Sequence, residues 1–231
     1  MLALLGRRRP RLVSVITRSI DSASTPMTPQ QYGVGARFTL SVYDSDYAAI
    51  ILDALNGANS SGLTIATNDI STFITGHEQR VLEYLRDVIT VAARAGAHLS
   101  ANVLLSRGCP GELQCALPSG VSALAADAVS LEPARVRARA HWSLYPLLDG
   151  DAADSDRDVP RDHMVPIAEV IEGSKAEGVY SGSDHYATRL DGDLAKVLEV
   201  AANAWIGVGA KVQHVVTHLT ISINSPTPIT D

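Results

Sequence analysis

The sequence has little cysteine, no long apolar run and no excess of basic residues. Two cysteines, Cys109 and Cys115, occur among 231 residues. They are too isolated for a paired-cysteine metal site, and they indicate a reduced, cytoplasmic compartment. No stretch approaches the roughly 18 to 20 uninterrupted apolar residues of a membrane helix. The net charge of -6 argues against a nucleic-acid surface, which needs clustered lysine and arginine.

Sequence motifs of the common catalytic chemistries are also absent. The chain contains no glycine-rich phosphate loop, no HExxH, no GxSxG and no paired-cysteine spacing. Nothing in the sequence requires catalysis, a cofactor or a metal ion. We therefore expect a soluble protein that is not an enzyme, needs no cofactor and does not insert into a membrane.

Residues 1–33 are predicted to be an extension outside the folded part. Residues 1–26 contain five arginines, several Ser and Thr, and a single acid, Asp21. Three interpretations stay open: a disordered tail, an organelle transit peptide, and translation from a start upstream of Met27. The apolar stretch is too broken by arginine for a secretory signal, so secretion is the least favoured.

Two stretches of the chain, 68–83 and 183–199, are nearly the same sequence. A constant separation of 116 residues pairs Gly76 with Gly192 and continues to Pro110 and Pro226. Upstream, "ARFTLSVYD" pairs with "ARAHWSLYP" at a separation of 102, which implies a 14-residue insertion at 147–160. The sequence therefore predicts a first repeat at 34–111, a linker at 112–137 and a second repeat at 138–231.

Each repeat shows the pattern β-α-β-β-α-β, with period-two strands and amphipathic helices. This order predicts an α+β fold of tandem ferredoxin-like repeats, related by an internal pseudo-two-fold axis. Each repeat should have an antiparallel four-stranded sheet with both helices on one face. The other face must then be covered by the second repeat or by another chain. We expect sheets to pack on sheets and the protein to form a homodimer.

The corner between the second and third strands carries the densest polar cluster. It reads "TNDIST" at 67–72 and "SDHYAT" at 183–188. Such side chains offer donors and acceptors for a small polar heterocycle. The alternative is a turn whose side chains only satisfy its own backbone. The candidate ligand-binding residues here are Asn68, Asp69, Ser71, Thr72, Asp184, His185 and Thr188.

The first strand of each repeat adds a second set of polar residues at period two. A cleft lining and a plain solvent-facing strand surface both fit this pattern. Cys109 pairs with Ser225, so a thiol is not required there, and we interpret Cys109 as a loop residue and His98 and His214 as structural. The candidate residues are Thr39, Ser41 and Tyr43 in the first repeat, and His141, Ser143 and Tyr145 in the second.

Four motifs together resemble one known family. "SLYP", "SDHYATRLDGD", "GCPGE" and "NSP" are similar to the YkoF family of thiamin- and hydroxymethylpyrimidine-binding proteins, across residues 34–227. The resemblance implies two ferredoxin-like repeats, an intimate dimer and a pyrimidine site in each repeat. It further implies binding without catalysis, in the salvage or transport of thiamin or its precursors. Tyr43, Tyr145, Trp142 or Tyr186 would stack on the ring.

The resemblance also distinguishes the two sites. The family often has Asp-His at this corner, where the first repeat has Asn68 and Asp69 and the second keeps Asp184 and His185. The long polar residue of the family's first strand falls on Thr39 and on His141. We therefore expect unequal affinities, with the tighter site in the second repeat.

Two other functions stay open at this point. Asp184 and His185 would be the acid and base of an enzyme acting on a thiamin-related pyrimidine, although neighbours on a strand point to opposite faces. A ligand-responsive regulatory module is the second, and co-purification of a transporter or salvage partner would support it. The lack of a phosphate loop favours unphosphorylated ligands.

Overall fold

The computed structural model describes residues 27–110, 124–147 and 164–229. The first repeat contains α1 (Pro29–Tyr32), β1 (Gly35–Val42), α2 (Tyr47–Gly57), β2 (Thr64–Thr67), β3 (Thr72–Thr75), α3 (Glu78–Ala93) and β4 (Leu99–Arg107). The second contains β5 (Arg137–Leu147), α4 (Met164–Ala176), β6 (Tyr180–Asp184), β7 (Ala187–Asp193), α5 (Leu194–Gly209) and β8 (His214–Ile223). From β1 and from β5 onward, both follow the predicted order β-α-β-β-α-β. None of the described helices is long and apolar enough to cross a membrane.

All eight described strands belong to one antiparallel sheet, in the order β2-β3-β1-β4-β8-β5-β7-β6. The two repeats meet where β4 pairs with β8, from Leu99 opposite Ile223 to Arg107 opposite Val215. The prediction that sheets pack on sheets is therefore wrong for the two repeats of one chain. They share an edge because β4 and β8 would otherwise leave a long row of unpaired backbone groups.

The core lies on one face of this sheet. Along β8, buried residues such as Leu219 and Ile221 alternate strictly with partly exposed ones. Along α3, Val81, Leu85 and Val88 recur at helical spacing and are fully buried, which places this stripe on the sheet. Helices α3 and α5 also contact each other across the junction of the repeats. The opposite face of the sheet carries the polar residues of the first strands.

The strand register corrects the predicted alignment of the two repeats. Phe38 lies opposite Thr72, and Trp142 lies opposite Thr188. Equivalent first-strand residues are thus 104 apart instead of 102, and the insertion is 12 residues instead of 14. A slip of two residues leaves every side chain on its predicted face but changes its partner. The counterpart of His141 is therefore Arg37, and Thr39 corresponds to Ser143.

Two segments assigned to the extension and the linker are ordered parts of the fold. Residues 29–32 form α1, which begins with a capping box at Thr28 and buries Tyr32. Residues 124–136 have no regular structure, yet Val129 and Leu131 are buried and their backbone bonds Asn203 and Glu199 of α5. Residues 1–26 and the predicted insertion, apart from Leu147, lie outside the described residues.

A buried ion pair lies at the junction of the repeats. The guanidinium of Arg107, at the end of β4, is 3.5 Å from the carboxylate of Glu78 in the first turn of α3. Both side chains are almost fully buried, and Arg107 also donates to the carbonyl of Leu124. The rings of Tyr32 and Trp205 lie 5.6 and 5.9 Å from its guanidinium carbon. Arg107 thus contacts α1, both repeats and the linker.

Candidate functional site

The predicted site residues divide between the two faces of the sheet. Thr72 and Thr188 are buried opposite Phe38 and Trp142, so they face the helices. The first-strand candidates instead alternate with the core residues and lie on the helix-free face: Thr39, Ser41, Tyr43, His141, Ser143 and Tyr145. The candidates therefore do not form a single cluster in either repeat.

The hairpin of the first repeat is closed by the side chain of Asn68. The side-chain oxygen of Asn68 accepts hydrogen bonds from the backbone N–H groups of Ile70 and Ser71, at 3.0 and 2.9 Å. Asp69 lies exposed at the tip. This is the turn alternative that the sequence left open, and it commits the acceptor of Asn68 to the backbone.

Arg37 is a candidate that the sequence argument missed. Its Nη1 donates to the hydroxyl of Ser71 at 2.9 Å, and its guanidinium lies 5.5 Å from the ring centroid of Phe73. It occupies the position of His141, so in both repeats a long polar residue of the first strand reaches the hairpin. A sequence signal would have revealed this equivalence. In both repeats an aromatic residue is followed two positions later by leucine, Phe38 and Leu40 in the first and Trp142 and Leu144 in the second.

In the second repeat the first strand and the hairpin form a direct pair. His141 Nε2 lies 2.8 Å from Asp184 Oδ2, and Arg189 Nη1 lies 3.7 Å from Oδ1. The hydrogen bond from His141, with smaller contributions from the charges of Arg189, His141 and His185, lowers the pKa of Asp184. The carboxylate is therefore ionised at neutral pH. Because an ionised carboxylate only accepts, His141 Nε2 carries the proton.

The tip of this hairpin is a two-residue turn. Tyr186 has a left-handed φ of 70° and is 96% exposed, and its carbonyl accepts a hydrogen bond from Ser143. The ring of His185 lies edge-on to Tyr186, 6.1 Å between centroids. Asp184 thus bonds with His141, across the strands, and His185 lies against the tip instead.

A glycine shapes the same site. Arg189 Nη2 donates to the carbonyl of Ser181, where β6 bulges between Tyr180 and Gly182. A Cβ at Gly182, whose φ is 146°, would lie 2.5 Å from that guanidinium nitrogen. Glycine at this position lets Arg189 cross β6 toward Asp184.

The aromatic candidates for stacking differ in accessibility. Trp142 is buried and donates from Nε1 to Thr217, so it cannot stack on a ligand. Tyr145 and Tyr186 are exposed, and Tyr43 stacks on His98 at 4.8 Å. His98 also bonds Ser222, and His214 bonds Ser106.

Two clefts lie at these sites. A cleft of about 130 Å³ in the first repeat is bounded by α2 and by candidates Thr39, Asn68, Asp69, Ser71 and Thr72. A cleft of about 610 Å³ in the second repeat is bounded by β5, β7, β8 and the segment after β8, with Arg139, His141 and Arg189 in its wall. Of these two, only the second has the usual volume of a small-molecule site. Seven candidates line neither cleft: Ser41, Tyr43, Ser143, Tyr145, Asp184, His185 and Thr188.

Asp191 holds two arginines beside the larger cleft. Arg137 Nε and Nη2 lie 2.8 and 2.7 Å from its two oxygens, and Arg139 Nε lies at 3.2 Å. The bidentate bond from Arg137 is the main cause of a lowered pKa of Asp191.

We expect Asp191→Asn to lower stability at neutral pH but not in strong acid. A carboxyl whose folded-state pKa lies below its ordinary value of 3.8 stabilises the fold above that pH, and loses the effect as the pH falls through the folded value. Urea midpoints at pH 7 and at pH 3 should show a gap between wild type and variant that shrinks in acid. Exposed Asp127→Asn is the control and should show no gap at either pH. A gap that is constant with pH would contradict the ion-pair explanation.

Comparison with known proteins gives a match in two segments of the chain. The model of the YKOF-related family matches residues 33–112 and 137–228. A Bacillus subtilis (strain 168) protein named "Putative HMP/thiamine-binding protein YkoF" is 28% identical over 194 residues, which is 83% of this chain and 90% of that protein. The matched segments contain both hairpins and both first strands.

Proposed function

The chain belongs to the YkoF-related family, and from this premise we propose that it binds thiamin or hydroxymethylpyrimidine without transforming it. The name of the Bacillus subtilis relative supports a ligand of this class. The observation that carries the proposal is the His141–Asp184 pair, in which an ionised carboxylate bonds a side chain in the wall of the large cleft.

The chemistry of the pair suits an aminopyrimidine. The exocyclic amino group of such a ring is a hydrogen-bond donor and its ring nitrogens are acceptors. Asp184 has about four lone-pair positions, so it accepts from His141 and from an amino group together. Exposed Tyr186 follows Asp184 by two residues in the hairpin and offers an aromatic surface for the ring.

The second repeat is proposed to bind more tightly than the first. Asn68 occupies the position of Asp184, but its oxygen already accepts from two backbone N–H groups. Arg37, in the position of His141, is a donor only. The small cleft of the first repeat lies against α2 and does not include Arg37, so it does not correspond to the larger cleft.

We further propose that each repeat is ferredoxin-like and that the helix-free face pairs with a second chain in a homodimer. Tyr43, Leu104 and Tyr145 are exposed on that face among polar groups. A cytoplasmic role in the salvage or transport of thiamin or its precursors follows from such binding, with a transporter or salvage enzyme as the receiver. Size-exclusion chromatography coupled to light scattering measures the mass of the protein in solution and so tests the dimer. A monomeric mass would contradict it.

Isothermal titration with thiamin and with hydroxymethylpyrimidine tests the binding itself. We expect saturable heat with both, because the pyrimidine is common to them. No heat from either at millimolar concentration would contradict the proposal. Mass spectrometry of the recovered ligand separates binding from catalysis: an unchanged ligand is expected, and a converted one would make the protein an enzyme.

A further inference from the structure

We propose that the larger cleft also binds a phosphate monoester of the ligand, on Arg139 and Arg189 beside the His141–Asp184 pair. The pyrimidine part of this inference rests on the proposed function, whereas the anion part rests on the cleft alone.

The strand register places the residues proposed to bind the phosphate and those proposed to bind the pyrimidine in neighbouring rows. Ser222, Arg139 and Asp191 lie side by side across β8, β5 and β7. The next row along β5 contains Thr220, His141 and Arg189. Rows that face the same side of a sheet are about 7 Å apart. A phosphate at the first row and a pyrimidine at the second therefore fit within one small molecule.

The composition of the cleft favours an anion. Among the described residues, its wall contains Arg135, Arg137, Arg139 and Arg189 and no aspartate or glutamate. Each of the last three arginines also has partners within the protein. A guanidinium has five N–H donors in a planar fork, so it can hold a carboxylate and a phosphate oxygen together. Ser222 and Thr227 add hydroxyl groups to the same wall.

The first repeat shows that the fold does not require these arginines. With the corrected alignment, Gly35 stands at the position of Arg139 and Phe73 at that of Arg189. The same strands pair without either guanidinium. The arginines are therefore a property of the second site, and the two repeats differ in the ligand charge that they accept.

This inference revises the expectation of unphosphorylated ligands. That expectation came from the missing glycine-rich loop, in which backbone N–H groups bind phosphate. Arginine side chains on a sheet supply the same donors without a loop motif. Asp191 and Asp184 already pair with three arginines of this wall, and a phosphate on the ligand would balance the positive charge that is left.

Titration of the full chain with inorganic phosphate at low ionic strength tests the anion site by itself. Wild type should bind with a Kd of about millimolar magnitude, and Arg139→Gln should bind roughly tenfold more weakly or not at all. Arg86→Gln removes the same charge from a residue of α3 that is not in the wall of the cleft, and should bind like wild type. Arg139→Lys keeps the charge without the fork and should be intermediate. Absence of saturable binding to wild type, or equal loss in Arg86→Gln, would overturn the proposal.

A second titration compares hydroxymethylpyrimidine with its phosphate ester. Wild type should bind the ester about tenfold more tightly, and Arg139→Gln should bind the two alike. If wild type binds hydroxymethylpyrimidine and its phosphate ester with equal affinity, the proposal that one ligand uses both the pyrimidine and the phosphate site is overturned. If inorganic phosphate binds through Arg139 but neither pyrimidine does, the anion site stands and the proposed function fails. If the pyrimidine binds and inorganic phosphate does not, the proposed function stands and the anion site fails.

Discussion

Asp184→Asn is expected to weaken binding of hydroxymethylpyrimidine in the second repeat by roughly 10- to 100-fold. The amide keeps the size of the side chain but removes the charge that strengthens a hydrogen bond to the exocyclic amino group, a loss of about 1.5 to 3 kcal/mol for charged partners. It also replaces one of the two acceptor oxygens with a donor. Isothermal titration of the variant measures the change directly.

Asp69→Asn is the matched control, because it removes a carboxylate from the equivalent hairpin of the first repeat. It should change the second-repeat affinity by less than about twofold, since distant sites act independently. A variant at Asp184 that binds like wild type would mean that the carboxylate does not touch the ligand. Equal losses at Asp69 and Asp184 would point to an effect of net charge instead.

Arg107→Leu is expected to lower the free energy of unfolding by about 3 to 5 kcal/mol. The substitution leaves the carboxylate of Glu78 buried without its cation, which is the costly way to break a buried ion pair. It also removes the group that lies against Tyr32 and Trp205. Urea unfolding of the variant and wild type gives the difference.

A double variant separates the charge from the packing. Arg107→Leu with Glu78→Leu should be more stable than Arg107→Leu alone, because no uncompensated charge stays in the core. Lys211→Leu, which breaks the exposed pair with Glu169, should cost less than about 1 kcal/mol. If Arg107→Leu costs as little as Lys211→Leu, the buried pair does not hold the junction together.

Local sequence pattern was sufficient for the order of elements. Alternation along "ARFTLSVYD" and helical spacing after Gly76 are short-range signals, and β1 and α3 follow them closely. Asp193 is a short acidic residue directly before α5, and its carboxylate accepts from the backbone N–H of Ala195, as an N-cap residue does. Because these features depend on neighbours in the chain, the sequence alone predicts them.

The strand register and the pairing of β4 with β8 could not be predicted from local sequence pattern. A slip of two residues keeps the polar and apolar faces of β1 and β5 unchanged, so hydrophobic pattern cannot detect it. The identity of Ala-Arg at 36–37 and 138–139 favoured the wrong alignment, and Arg37 was overlooked as a result. The pairing of β4 with β8 joins residues more than 100 apart, which no local pattern reports.

The site was predicted in its parts but not in its contacts. Asp184 and His141 were both candidates, on separate strands and for separate reasons, and the structure brings them to 2.8 Å. The proposed partner of Asp184 in the sequence was His185, its neighbour in the chain. Cross-strand contact replaced it because β5 and β6 both flank β7. His141 lies opposite Arg189 of β7 and Asp184 lies opposite Ala187, two residues nearer the hairpin tip, so the contact crosses β7 diagonally.

The most direct test of the proposed site is a heteronuclear spectrum of the seven histidine imidazoles during titration with hydroxymethylpyrimidine. We predict that the resonances of His141 shift in step with saturation, and that Asp184→Asn moves the midpoint of the shift to a roughly 10- to 100-fold higher ligand concentration. Saturable binding that leaves His141 unmoved would place the ligand elsewhere and contradict the proposed role of the second repeat.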